Sequence, residues 1–409
     1  MPDKSPFYFK NYSNVVDYVH EYGNLSFQEE DFNDIDALVF SIFAYFPLEE
    51  TGIPFREMSV QDCCINFLSW VRSEYISLEM AAWFRKFLLL GMALLNKKRY
   101  KDLLVKRFEY TFSKEKETQF AALEIELDEK RSLIAYRGTD RTLVGWKENL
   151  NLAANTKVGS YLKSKDFLLK AIETNENKSF YVVGHSKGGH LAAYAASCIP
   201  SKDTDKILCI YNLDGPGFGK EIFESEGYKQ IQDKIILLVP QFDVIGTLLY
   251  HNEPTYIIDA QGYFDFFIQH DPFTWKVEGK EFVKVKERTP QSKYIDKVLQ
   301  EFVLEKVDPK DLKPAIDVIF AVIDTSGFTD ALQIERNVGD AIAKFLSFSQ
   351  KQSKQNRKIL TRLSNLFISC AMHHISSYNK DVRIQREEIK KGKEEERNFK
   401  KDYDKVRIK

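Results

Sequence analysis

The stretch Ser179-Phe-Tyr-Val-Val-Gly-His-Ser-Lys-Gly-Gly-His-Leu-Ala-Ala constrains this chain more than any other. A β-type apolar run ends directly before Gly184-x-Ser186-x-Gly188, and a helix of small residues begins directly after it. A strand that turns into a helix through GxSxG reads as a nucleophile elbow. Such a turn holds Ser186 in a strained conformation, so that its hydroxyl projects from the edge of a sheet. Gly184 and Gly188 remove side chains that would collide across so tight a bend. The helix start behind Ser186 offers free N–H groups to a developing oxyanion. The competing reading is a glycine-rich turn that merely packs closely, and the flanking strand and helix favour the elbow over it.

The rest of the chain predicts a sheet to seat that turn. Phe120–Leu127 and Ser132–Tyr136 flank a polar turn, a hairpin signal. Apolar runs follow at Phe180–Val183, Ile207–Leu213, Ile235–Val239 and Thr255–Ile258. Helix-like stretches Leu162–Glu173, Lys187–Cys198 and Lys220–Gln232 separate the earlier ones. Continuous apolar strands alternating with helices predict an α/β fold with a mainly parallel sheet covered on both faces. Residues up to about Lys116 read as helical, including Asp34–Phe46 and Ile76–Asn96. The stretch Ile76–Leu95 reads as a core helix, with an acyl-pocket lining or a lid as the alternative. From Gln291 the chain turns helical again, and after Lys380 it becomes a charged, solvated helix. The expected organisation is one catalytic domain over 1–290, with helices over about 1–116 and a sheet core over about 118–285, followed by a helical extension over 291–409.

Composition narrows the partners. With 59 Lys+Arg against 60 Asp+Glu, the formal charge of -1 gives no global reason to expect nucleic acid. Residues 1–10 lack the apolar core of a signal peptide, and the longest apolar stretch, Phe87–Leu95, is far short of the ~20 residues that span a bilayer. The five cysteines are scattered, with no CxxC pair, so neither a disulfide framework nor a zinc site is expected. The expectation is a cytoplasmic protein with no metal and no cofactor. A basic C-terminal helix is a candidate for peripheral membrane contact, which its interspersed acids disfavour.

In this architecture the triad runs Ser, acid, His. Of seven histidines, His251 and His270 lie where a base is needed. His270 sits after the last sheet-like run on a segment broken by Pro272 and is preferred. His251 ends an apolar helix-like stretch, Val244–Tyr250, and reads as structural. Asp243, just beyond the run Ile235–Val239, is the preferred acid, with Asp214 after the preceding run as its competitor. The oxyanion donors expected are the Lys187 N–H and Thr139, which offers an N–H and a hydroxyl, with Gly138 allowing close approach of the backbone.

Tyr136-Arg-Gly-Thr-Asp with Trp146 resembles the (F/Y)RG(S/T)…W signature of class 3, fungal-type lipases, and GHSKGGHLA is similar to their elbow. Val239-Pro-Gln-Phe-Asp resembles their strand–Asp segment and carries Asp243 over as the acid. Asn14-Val-Val-Asp-Tyr-Val, Phe32-Asn-Asp-Ile-Asp, YRGTD, GHSKGGH and Gln269-His-Asp-Pro-Phe-Thr-Trp together look like the bacterial Mbeg-like family of α/β-hydrolases. That resemblance carries the histidine role onto His270. It implies an α/β-hydrolase fold and a serine hydrolase of the lipase or esterase kind, with a small-molecule or lipid acyl ester as its substrate. A thioesterase, peptidase or acyltransferase would use the same residues, and a catalytically silent binding module would keep the fold alone. Lys187 stands where such lipases carry a small or apolar residue, which predicts a cation beside the site. The gap from Asp243 to His270 is also shorter than in secreted fungal lipases.

Overall fold

Side-chain alternation along the strands decides how the layers form. The computed structural model describes residues 12–73, 78–140, 142–153, 158–262, 266–325, 347 and 353–407. Eight strands form one sheet in chain order: β1 Met58–Ser59, β2 Leu104–Ser113, β3 Thr118–Glu126, β4 Arg131–Tyr136, β5 Ser179–His185, β6 Ile207–Leu213, β7 Ile235–Pro240 and β8 Thr255–Ile258. Strands β1 to β4 pair antiparallel, and β4 to β8 run parallel. This is an α/β-hydrolase fold with N-terminal helices and an additional C-terminal helical region.

Period-two alternation sends Leu133, Ala135 and Val183 into one core and Ile134, Tyr136 and Val182 into another. The first core packs under the N-terminal helices and the second under the crossover helices Gly159–Thr174 and Lys187–Ser197. Strands buried on both faces explain why their sequences read as unbroken apolar runs. Helix Asp34–Phe43 is buried along nearly its whole length, so it is core. Its capping box on Asn33 and Asp36 fixes its start. Arg137 fixes its end: the guanidinium donates to the carbonyls of Ala44 and Phe46 at 2.6 and 2.8 Å and pairs with Glu49.

Two local expectations are corrected. Leu104–Ser113 is a ten-residue strand, not part of a helical zone. Arg107 and Glu109 alternate with Phe108 and Tyr110, the pattern of a half-covered strand, and its long antiparallel pairing with β3 satisfies the backbone. Val244–Tyr250 forms turns instead of a helix. The expected N-terminal helix is present as Leu78–Leu94, while Ile76 and Ser77 lie outside the described residues.

After the sheet, helix Pro290–Gln300 passes into a π-helical turn, Glu301–Lys306, then helix Pro309–Thr325. Ile316 and Phe320 pack on Leu143 and Trp146, so Trp146 of the resemblance motif seats a C-terminal helix. A final helix, Lys354–Arg407, runs 54 residues, or about 80 Å at ~1.5 Å per residue. Val307, Ala315 and Leu363 hold its first part. Among the described residues no helix is long and apolar enough to cross a membrane.

Candidate active site

Ser186 lies at the end of β5 with φ 58° and ψ −130°, a conformation that L-residues adopt only under constraint. The constraint is packing against bare backbone. A Cβ on Gly184 would lie 2.2 Å from the carbonyl of Gly188, and one on Gly188 would lie 2.2 Å from the carbonyl of Tyr136. Helix Lys187–Ser197 starts one residue after the serine. As its first residue, Lys187 has no intrahelical acceptor for its N–H.

The hydroxyl meets a histidine. His270 Nε2 is 2.9 Å from Ser186 Oγ, and His270 Nδ1 is 2.6 Å from Asp214 Oδ2. Ser186 is nearly enclosed, whereas the His270 side chain is 23% exposed, which leaves an approach for substrate. Helix Phe266–His270 and the turn Pro272–Thr274 carry this histidine. Gln269 Oε1 accepts the Phe242 N–H at 2.7 Å, the Trp275 indole donates to the Gln269 carbonyl at 2.9 Å, and Asp271 caps the Phe273 N–H. Each polar residue of the Gln269–Trp275 motif thus fixes the backbone that carries the imidazole.

The carboxylate against His270 is Asp214, not Asp243, and sheet order supplies the reason. The serine's strand β5 has β6 as its neighbour, and β7 lies one strand further. Adjacent strands are ~4.8 Å apart, so the end of β6 is within reach of an imidazole above β5, while the end of β7 is about twice as far. Asp243 stands behind Asp214, and the two carboxyls are hydrogen-bonded to each other. Asp214 Oδ1 accepts the Gly246 N–H at 3.1 Å, and Asp243 Oδ1 accepts from Ile245 and Gly246 at 2.8 and 3.0 Å. As a carboxylate, Asp243 Oδ2 would have no donor facing it. Protonated, it donates to Asp214.

Burial raises the pKa of both carboxyls, and the Asp214 carboxyl beside it raises Asp243 further. One proton shared by the pair sits best on Asp243, leaving the charge facing His270. A stability signature follows. The folded pair keeps a proton that the unfolded chain releases above about pH 4, so raising the pH favours unfolding. Asp243→Asn is therefore expected to gain stability relative to wild type between pH 5 and pH 8. The gain should approach about 1.4 kcal/mol per pH unit while the retained proton differs between the states. Urea midpoints at the two pH values test this, and parallel pH curves for the two proteins would refute a retained proton.

Lys187 does not place its cation beside the serine. Its side chain is fully buried, with Nζ donating to the Gln119 carbonyl and Gln119 Oε1 at 2.6 Å each and to Glu148 Oε2 at 3.0 Å. Glu148 also accepts the N–H groups of Gln119 and Ser160, at 3.0 and 3.1 Å. Thr139 follows β4 beside the elbow, and its hydroxyl oxygen is enclosed without a hydrogen-bond partner among the described residues. An unpaired hydroxyl in a polar loop next to a nucleophile suits an oxyanion donor.

Two residues of this site went unread in the sequence. His185 Nε2 is 2.9 Å from the His270 carbonyl, so it carries the proton there, and Nδ1 accepts from the Tyr45 hydroxyl at 3.1 Å. Burial holds this imidazole well below its usual pKa, and hence neutral. Tyr45 oxygen in turn takes the Gly138 N–H, which links the loop after β4 to the segment that carries His270. His190 and His251 are satisfied structurally: His190 bonds Tyr161 at 2.8 Å and the Pro216 carbonyl at 3.0 Å, and His251 bonds Glu253 and the Leu248 carbonyl at 2.9 Å each.

No curated protein matches the chain in sequence. Among solved structures the chain is similar to a fungal lipase at 13% identity, over 61% of this chain and 84% of that one, with TM-score 0.37. It is similar to an MDLA mutant from Penicillium cyclopium at 15% identity, over 60% and 83%, with TM-score 0.35. Lipase II from Rhizopus niveus matches at 11% identity, over 61% and 98%, with TM-score 0.34. The Mbeg1-like family profile matches residues 94–321, more than half of the sequence and the whole span from β2 through His270. This chain belongs to the Mbeg1-like family.

Proposed function

We propose that this protein is a serine hydrolase that cleaves acyl esters through an acyl-enzyme. The observation that carries the reading is the continuous line from Ser186 Oγ to His270 Nε2 at 2.9 Å and from His270 Nδ1 to Asp214 Oδ2 at 2.6 Å. His270 takes the serine proton as Oγ attacks the acyl carbonyl, and Asp214 holds the tautomer and stabilises the imidazolium. The Lys187 N–H, with the N–H and hydroxyl of Thr139, receives the oxyanion. His270 then returns the proton to the leaving alcohol, and an activated water releases the acid. Asp243 is a positioning residue in this scheme, a proton-bearing carboxyl that steadies Asp214. Phe267 and Ile268, half-exposed on the short helix that ends at His270, favour an apolar acyl group over a charged one.

Labelling with a fluorophosphonate tests the reading. Wild type is expected to label, and Ser186→Ala and His270→Ala to lose the label while keeping the wild-type melting profile. A folded wild type that takes no label would overturn the assignment and leave a binding module on a hydrolase fold.

A further inference from the structure

Away from this site, the C-terminal helices converge on one carboxylate. Glu301 opens the π-helical turn Glu301–Lys306, an element that is rare and often marks functional positions. Its Oε2 lies 2.8 Å from His373 Nδ1 and 2.9 Å from His374 Nε2, both on helix Lys354–Arg407. The three donor atoms all lie within 4.8 Å of one another. Glu301 is nearly buried, and its other oxygen is 3.5 Å from the half-exposed Lys306.

As a hydrogen-bonded cluster this arrangement is poorly satisfied. His374 Nε2 is enclosed, and its approach to Glu301 is too far off line for a hydrogen bond, so it has none among the described residues. The two imidazole rings are 4.7 Å apart. Both rings face the same carboxylate oxygen, and the enclosed His374 nitrogen is left unpaired there.

We propose that Glu301, His373 and His374 bind a divalent transition-metal ion, with Zn²⁺ the best match, and that the ion clips the long C-terminal helix to the body. Two imidazoles and one carboxylate form a nitrogen and oxygen donor set that suits zinc. Each nitrogen then lends a lone pair to the metal, which removes the orphan at His374 Nε2. A tetrahedral ion with bonds of ~2.0–2.1 Å holds its donors about 3.4 Å apart, so the nitrogens must withdraw by about half an ångström from their present spacing. His373, whose side chain is 68% exposed, has room to do so, and its exposure leaves the fourth position to water. The site joins segments about seventy residues apart, so metal binding adds directly to docking of the helix. The rest of the hold on this part of the helix comes from the Val307, Ala315 and Leu363 cluster, from Phe302 against Phe367 and Tyr294 against Tyr378, from an Arg362–Asp311 ion pair, and from a 3.1 Å bond between the Tyr294 hydroxyl and the Ala371 carbonyl. The site is independent of Ser186 and departs from the sequence expectation of no metal.

The test is titration of the tag-free, chelator-stripped full chain with Zn²⁺ by calorimetry, and with Co²⁺ by visible absorption. One equivalent is expected to bind at micromolar affinity or tighter, with a rise in melting temperature and a tetrahedral cobalt spectrum. The double variant His373→Ala/His374→Ala, and separately Glu301→Gln, should weaken binding by tenfold or more and abolish the thermal gain. Absence of uptake by the stripped protein would overturn the proposal. So would uptake that all variants retain, since the ion would then sit elsewhere. Fluorophosphonate labelling of the double variant should match wild type, which keeps this test separate from that of the hydrolase reading.

Discussion

Asp214→Asn is expected to lower kcat by about 10³–10⁴-fold, the scale on which a triad loses its tautomer, while Asp243→Asn should stay within roughly tenfold of wild type. The asymmetry follows from donor geometry. At position 214 the Gly246 N–H requires an oxygen, which turns the new amide NH₂ toward His270. His270 Nδ1 must then accept, its proton moves to Nε2, and the imidazole can no longer take the proton of Ser186. At position 243 the N–H groups of Ile245 and Gly246 likewise fix the oxygen. There the NH₂ faces Asp214 and donates as the protonated acid does. Asp243→Ala removes that donor and should fall between the two, with a displaced pH profile. Initial rates on a short-chain nitrophenyl ester from pH 5 to 9 measure all three variants. The opposite ranking, with Asp243→Asn crippled and Asp214→Asn active, would return the acid role to Asp243.

Glu148→Ala is expected to destabilise the fold by about 3–5 kcal/mol, the penalty for leaving a buried charge unpaired. The pair ties four elements together. Lys187 begins the elbow helix, Gln119 lies on β3, Glu148 on helix Leu143–Ala153, and Ser160 on the first turn of helix Gly159–Thr174. Removing the carboxylate strands the ammonium and two backbone N–H groups together. Lys187→Met should cost less, because Glu148 keeps those two N–H donors. Urea unfolding gives the stabilities, and fluorophosphonate labelling under folded conditions gives the site. Both variants should still label. A Lys187→Met protein of wild-type stability that no longer labelled would instead place the ammonium in the chemistry.

These two expectations mark where reading along the chain stops. The elbow around Ser186 is legible because everything it requires is local: a strand, two glycines and a helix within fifteen residues. The parallel strands are legible because burial on both faces leaves a continuous apolar signature. His270 stood out because, of the two histidines after the serine's strand that remained as candidates, it lies on a segment broken by Pro272, while His251 reads as structural. Strand β2 was missed because its charges at alternate positions obscure an apolar period that matters only once β3 pairs with it. The carboxylate partner of His270 was misread because Asp214 and Asp243 both follow buried strands, and a sequence does not number the neighbours of a strand. Lys187 was misread because which way a long side chain turns depends on a glutamate thirty-nine residues earlier.

Fold class, family and the strand–turn–helix around Ser186 were thus determined by the sequence itself, through short patterns whose physics is complete within one segment. Only the tertiary structure decided which carboxylate meets the imidazole, where the lysine charge is neutralised, how His185 and Tyr45 brace the base, and that Glu301 meets His373 and His374. Each of these is a contact between segments that chain order separates, and packing alone brings such segments to within 3 Å.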